Sequence, residues 1–387
     1  MSPLKIAVIA GEVSGDLLGG DLIAALKQRY SGPVELVGVG GEALEAQGLR
    51  SLFDYSELSI MGITQVLMRL PRMISLIRQT ASAIIAARPD ALLIIDSPDF
   101  THRVAKRVRK ALPNLPVINY VCPSVWAWKV YRAKAMLSYV DHVLAVLPFE
   151  PEVMQRLGGP KTSFVGHRLA SEPNLLGVRA ERQARGTPPE GAPRTIMLLP
   201  GSRGFEIRNL LPVFGQSMQE LATRHAGLRF VLPTVAKREA LVREMIADWA
   251  LKPEIVVGDE GKWRAFAEAD AAMAASGTVI LELALAGVPV VSTYKTDLLI
   301  KLLAGRIKIW TAALPNLIAD YVVVPEYINE VVRPGSLTRW MERLSTETLQ
   351  RQAMLEGFAL VQTRMTPVEP AGEAGARILL DILGHGN

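Results

Sequence analysis

The chain has 387 residues, 49% of them hydrophobic and 21% charged, with a formal net charge of +5. That describes a soluble, globular protein long enough for two domains with full cores. The lone cysteine, Cys122, excludes an intrachain disulfide and fits a reducing compartment, and no apolar run reaches the ~18 residues of a membrane span.

The first apolar run, Lys5–Ala10, reads as a strand and is too short for a signal-peptide core. A glycine-rich turn and a helix through Tyr30 follow it. The turn, Gly11 to Gly20, spaces Gly11, Gly15 and Gly19 four apart, so it is not the G-x-G-x-x-G of a dinucleotide loop. Ser14 and Gly15 either present N–H groups to a substrate or close a tight, closely packed turn. Val34–Val39 is a second strand. Ile63, Val66, Leu67, Leu70, Met73, Ile74 and Ile77 then keep helical spacing and form one apolar stripe beside Arg69, Arg72 and Arg78. It is either core or a patch that dips into a bilayer. Pro71 is expected to kink this segment or to start a second helix.

Ala91–Asp96 is a third strand, followed by a helix through Ala111. Residues 69–110 hold nine Lys/Arg against three Asp. Such a run is a solvated helix face or a surface for nucleic acid, an anionic membrane or a phosphorylated substrate. Further strands are expected at Val117–Val121, His142–Leu147 and Ser163–Val165. This alternation predicts βαβ units and a parallel sheet covered on both faces. The pattern fails between Glu172 and Pro193, where Arg185–Pro193 has linker composition. It restarts with strands at Thr195–Leu199, Arg229–Leu232, Ile255–Val257, Ala271–Ala274 and Val288–Thr293. Leu337–Leu383 is mostly helical and is expected to pack back on the first half. The expected organisation is two Rossmann-like α/β domains, 1–170 and 194–340, joined by a linker at 171–193, with helices over 341–387. Their parallel sheets are expected to face a central cleft.

Four segments carry chemistry. Asp96-Ser97-Pro98-Asp99 ends the third strand, where open α/β sheets bind ligands, so Asp96 is placed to accept a hydroxyl proton. Asp99 suits a helix N-cap. Leu199-Pro200-Gly201-Ser202-Arg203 joins a strand to a helix. Its N–H groups and the Arg203 fork suit phosphate, although no Walker A lysine follows. Ser276, Gly277 and Thr278 repeat that arrangement. Glu282, on an otherwise apolar helix, suits the two hydroxyls of a ribose or a salt bridge within the domain. Tyr120–Lys129 places Trp126 and Trp128 on a loop, to pack there or to meet a sugar face or acyl chains. His167 is a hinge hydrogen-bonder or a reacting group. The five histidines are scattered, and no metal is implied. Leu298–Ile309, with Lys301, Arg306 and Lys308, is a second candidate for membrane contact.

Together GEVSGDLLG (11–19), IMGITQVL (60–67), IDSPDF (95–100), YVCPSVWAW (120–128), LPFE (147–150), VGH (165–167), LPGSRGFEI (199–207), ASGTVILE (275–282) and LPNLIA (314–319) resemble the lipid-A-disaccharide synthase family. Departures from its pattern are Cys122 before Pro-Ser-Val-Trp, Gly41-Glu42, and Arg168 after Gly166-His167. The resemblance implies a GT-B fold and an inverting, metal-independent transfer without cofactor. The partners it implies are UDP-2,3-diacylglucosamine and 2,3-diacylglucosamine 1-phosphate (lipid X). By motif, Asp96 would be the base. Gly201, Ser202, Arg203, Glu206, Ser276, Gly277, Thr278, Glu282 and Asn316 would hold UDP. Ser14, Gly15, Met61, Gly62, Ile63, Val66, Leu67, Leu70, Ser124 and Trp126 would meet the acceptor and its acyl chains. The expected location is cytoplasmic, peripheral to the inner membrane, with no nucleic-acid partner and a homodimer possible through a shared C-terminal helix. The alternatives are a UDP-sugar 2-epimerase of the same fold and a non-catalytic peripheral protein that binds lipid and UDP.

Overall fold

The computed structural model describes residues 2–58, 63–187, 192–296 and 309–386, with the side chains of 63–69 outside that description. In chain order the elements begin with β1 (Leu4–Ala10), α1 (Val13–Arg29), β2 (Val34–Val39), α2 (Glu42–Glu45), α3 (Ile63–Ala87), β3 (Ala91–Ile95) and α4 (Pro98–Ala111). Next are β4 (Val117–Tyr120), α5 (Tyr131–Met136), β5 (His142–Ala145), α6 (Glu150–Arg156), β6 (Lys161–Phe164) and α7 (Pro173–Arg185). They continue with β7 (Arg194–Leu199), α8 (Gly204–Arg224), β8 (Leu228–Thr234), α9 (Ala236–Met245), β9 (Glu254–Val257), α10 (Gly258–Glu268), β10 (Ala271–Ala275), α11 (Thr278–Ala286) and β11 (Val290–Tyr294). The last are α12 (Leu314–Ala319), β12 (Glu326–Ile328), α13 (Pro334–Leu344), α14 (Leu349–Met365) and α15 (Ala371–Ile382). The chain forms two compact units, residues 1–168 with 367–387, and residues 169–366.

In the first unit the described strands form a six-stranded sheet, β2-β1-β3-β4-β5-β6, with every pairing parallel. Its central strands are apolar without alternation because helices cover both faces; all five residues of β3 are buried. Chain order reverses between β1 and β3. α1 lies close against β3 through its glycines. A Cβ on Gly19 would meet Ile95 Cδ1 at 2.8 Å, and one on Gly15 would meet Ile95 Cγ2 at 3.3 Å. The four-residue glycine spacing is thus a packing stripe, which corrects the reading of buried Gly15 as an acceptor contact. α15 returns to pack on α1, where Arg29 Nε donates to Glu373 Oε2 at 2.6 Å.

α3 is one helix that runs through Pro71 and does not restart there. Pro71 is exposed, so water can satisfy the carbonyl it frees. The apolar stripe divides along this helix. Leu76, Ile77 and Ile84 are buried in the core, while Leu70 is 44% exposed. Met61 and Gly62 lie outside the described residues, as do the side chains of Ile63, Val66 and Leu67. The second membrane candidate also lies outside them, except for Ile309. The basic run is partly spent on local pairs: Arg72 Nε and Nη2 grip both Glu57 oxygens at 2.8 and 2.9 Å, and Arg109 pairs with Asp141. Arg103, Arg107 and Lys110 are exposed on α4.

The second unit holds another all-parallel sheet, six-stranded among the described residues, in the order β12-β11-β10-β7-β8-β9. Here order reverses between β7 and β10. Two differences from the sequence expectation stand out. The segment read as linker holds α7, whose Leu175, Val178 and Arg182 are buried on one face. Arg182 joins that face because its guanidinium caps the carbonyls of Phe266 (3.0 Å) and Gly287 (3.0 Å) at the ends of α10 and α11. Of the C-terminal helices, α13 and α14 pack within the second unit, and only α15 joins the first. No helix among the described residues is long and apolar enough to cross a membrane.

Candidate active site

Asp96 leaves β3 at the reversal point of the first sheet. Ala10 pairs with Ile95, so Gly11-Glu12 and Asp96-Ser97 emerge side by side. Gly11 lies so close that a Cβ would sit 2.4 Å from Ser97 Oγ. Asp96 and Ser97 are both left-handed, at φ +51° and +44°. Such a conformation costs an L-residue about 1–2 kcal/mol and collects at functional sites. Hydrogen bonds hold the strained pair. Ser97 N–H donates to Asp96 Oδ1 at 2.8 Å, and Thr101 Oγ1 donates to the Asp96 carbonyl at 2.7 Å. Sequence reasoning missed Glu12. It titrates above its ordinary value, raised by its partial burial and then by the Asp96 charge. Two carboxylates thus sit on neighbouring strand-end turns, and Ser14, two residues after Glu12, is exposed.

A second candidate site lies wholly within the second unit. A cavity of about 520 Å³ opens at the carboxyl ends of β7, β8, β9 and β10. Parallel α/β sheets bind ligands at such an end. It gathers Gly201, Ser202, Arg203, Glu206, Ser276, Gly277, Thr278 and Glu282, but not Asn316. Arg203 is 76% exposed and Glu206 is buried beneath it. Glu206 Oε2 accepts the Arg203 N–H at 3.2 Å, and Oε1 accepts from the Arg203 guanidinium at 2.9 Å. Glu206 is therefore a support for the turn. The N–H groups of Gly204 and Phe205, in the first turn of α8, have no intrahelical acceptor and suit an anion. At the second turn the Ser276 N–H is spent on the Thr293 carbonyl at 2.7 Å. That leaves the N–H groups of Gly277 and Thr278 at the start of α11.

Glu282 makes a salt bridge within the domain, the alternative that the sequence left open, to a partner that the sequence did not name. Lys262, on α10, places Nζ 2.7 Å from Glu282 Oε2 and 4.4 Å from the Trp263 ring centroid. Arg238 Nε donates to the Ser202 carbonyl at 3.2 Å and braces the same turn from α9. Both residues are visible in the sequence only as charges on ordinary helices.

One predicted contact is corrected. Asn316 is fully buried, and its four hydrogen-bonding positions are all used. Nδ2 donates to Thr311 Oγ1 (3.0 Å) and the Val324 carbonyl (2.9 Å), while Oδ1 accepts from the N–H groups of Val323 (2.9 Å) and Val324 (2.7 Å). It holds a loop and has nothing left for a diphosphate. Trp126 is anchored too. Its indole N–H donates to Glu150 Oε1 at 3.2 Å and its ring meets Phe149 edge-on at 5.4 Å. Glu150, buried beneath it, is pushed up to about 7 by burial. Ser124 and Trp128 are the exposed members of that loop. His167 is held to about 4 by burial, which keeps its ring neutral near pH 7. Among the described residues no group of three His, Cys, Asp or Glu side chains gathers to hold a metal.

A family model described as lipid-A-disaccharide synthetase matches residues 6–357. The chain is 44% identical to the lipid-A-disaccharide synthase of Rhodopseudomonas palustris, over 98% of this chain and 96% of that one. Two solved structures share the fold at 14% identity. They are a putative UDP-N-acetylglucosamine 2-epimerase from Listeria monocytogenes (TM-score 0.59, 99% and 97% of the two chains) and MurG from Acinetobacter baumannii (TM-score 0.56, 99% of each). The two all-parallel sheets are those of a GT-B fold. With the family model spanning both sheets and both carboxyl-end sites, the chain belongs to the lipid-A-disaccharide synthase family.

Proposed function

We infer that the protein forms the glycosidic bond of the lipid A disaccharide. It transfers 2,3-diacylglucosamine from its UDP derivative to the 6-hydroxyl of 2,3-diacylglucosamine 1-phosphate (lipid X), releasing UDP. The observation that carries the donor assignment is the second-unit cavity, where Arg203, two helix N-termini and Glu282 converge. Arg203 and the free N–H groups of α8 and α11 take the diphosphate, and Glu282, steadied by Lys262, takes the ribose. Asp96 accepts the proton as the acceptor oxygen attacks the anomeric carbon. The bond from that carbon to the diphosphate oxygen breaks with inversion, and the leaving charge falls on Arg203 and the helix N-termini. One such donor is worth about 3 kcal/mol in the transition state. No metal ion or cofactor enters this scheme.

The acceptor and the acyl chains reach the protein from a membrane surface, peripherally and on the cytoplasmic face of the inner membrane. Exposed Leu70 and the basic residues of α3 and α4 support that reading. The deciding experiment incubates the protein with UDP-2,3-diacylglucosamine and lipid X. Stoichiometric UDP and a β-1,6 disaccharide 1-phosphate are expected. Epimerised UDP-N-acetylglucosamine without an acceptor, or UDP binding without turnover, would reject the transfer reaction.

A further inference from the structure

Thr234 ends β8 and lines the donor cavity, yet neither the fold nor the scheme above uses its hydroxyl. Its backbone is fixed in the sheet opposite Val257. Its Oγ1 is buried and has no hydrogen-bond partner. A buried, unpartnered hydroxyl is costly, and valine would fill the same shape in a strand without that cost. The orphan therefore points to a group that arrives with the ligand.

The layout of the cavity says which end of the ligand that is. The anion-binding turns follow β7 and β10, which are neighbours, while β8 lies on the far side of β7 and β9 lies beyond it. Lys262 reaches Glu282 from the helix that follows β9, so the ribose carboxylate is tied to that side as well. The cavity wall left over for the base is made by Pro233, Thr234, Val235, Ala236, Gly258 and Asp259. Its side chains are apolar apart from the Thr234 hydroxyl and the Asp259 carboxylate at its end. We propose that Thr234 Oγ1 hydrogen-bonds the pyrimidine base of the bound nucleotide. A hydroxyl can donate to a ring carbonyl or accept from a ring N–H, and uracil offers both on one edge. This rests on the reading of the cavity as the UDP-sugar site.

The test is titration calorimetry of UDP and UMP on the full chain, with thermal unfolding of the ligand-free protein. Thr234→Val should weaken UDP and UMP alike by roughly tenfold. Its ligand-free melting temperature should equal or exceed the parent's, because the mutation removes an orphan polar atom. Thr234→Ser should bind both within about threefold of the parent. Unchanged UDP affinity in Thr234→Val, with a parent that binds UDP, overturns this proposal alone. So does a loss confined to UDP, which would put the hydroxyl on the outer phosphate, or a Thr234→Ser as weak as Thr234→Val. A parent that binds no UDP overturns the donor reading itself.

Discussion

Gly201→Ala tests the phosphate turn by a single methyl group. Gly201 sits at φ +108°, and a Cβ there would lie 2.4 Å from Glu206 Oε2 and 2.7 Å from Glu206 Cβ. The clash meets the stem of Glu206 as well as its tip, so the first turn of α8 must move. The left-handed backbone costs an alanine about 1–2 kcal/mol. Displacing Glu206 strips the Arg203 N–H and guanidinium of their acceptor, which at a helix N-terminus costs about 1 kcal/mol more. A loss of about 2–3 kcal/mol leaves a domain of ordinary stability folded. Function should suffer more. If Arg203 and its turn lose their aim, about 3 kcal/mol of leaving-group stabilisation goes, or roughly a hundredfold in turnover. Denaturant unfolding, UDP calorimetry and turnover on the same preparation measure all three. Gly277→Ala is the control, because a Cβ at that position (φ +155°) meets nothing within 4 Å. It should cost backbone strain without displacing a carboxylate. UDP affinity and turnover within twofold of the parent in Gly201→Ala would refute the reasoning.

Asp96→Asn should lower turnover by about 10²–10⁴ while UDP affinity stays within twofold, because Asp96 belongs to the other unit; kinetics with calorimetry check both. Asn316→Ala leaves the N–H groups of Val323 and Val324 without acceptors and should cost about 2–6 kcal/mol in a urea melt, with activity per folded molecule unchanged. Acid should destabilise the first unit, which contains His102, His142 and His167, each held near 4 by burial against 6.5 when free. Between pH 6.5 and 4 the unfolded chain binds up to three protons there that the folded unit refuses, so stability falls as pH falls. Glu150, raised to about 7 by burial, has the opposite sign and offsets one of the three between pH 4.5 and 7. The net slope is at most about 3 kcal/mol per pH unit near pH 5, read from unfolding midpoints against pH. Glu150→Gln should remove the offset and steepen that slope.

The strands were legible because a parallel sheet buried on both faces demands uninterrupted apolar runs, as in Ala91–Ile95 and Ala271–Ala275. Three-residue β12 was not, since an edge strand so short carries no pattern. α7 hid because Arg182 occupies a core position, and only the carbonyls of Phe266 and Gly287, distant in sequence, make a guanidinium welcome there. The turns Gly201–Arg203 and Ser276–Thr278 were readable as local motifs, and β7 and β10, paired side by side, bring them together. The pairs Glu12 with Asp96 and Lys262 with Glu282 depend on strand order, which the sequence does not state. Asn316 looked like a ligand contact because a motif shows a polar residue without its internal partners. In the fold Thr311, Val323 and Val324 already claim it.

The most direct measurement is a crystal structure of the protein with UDP bound. The account predicts diphosphate oxygens within hydrogen-bonding distance of the Arg203 guanidinium and of the N–H groups opening α8 and α11, with the ribose hydroxyls on Glu282. UDP bound away from the β7–β10 ends of the second sheet, or with its phosphates turned from Arg203, would contradict it.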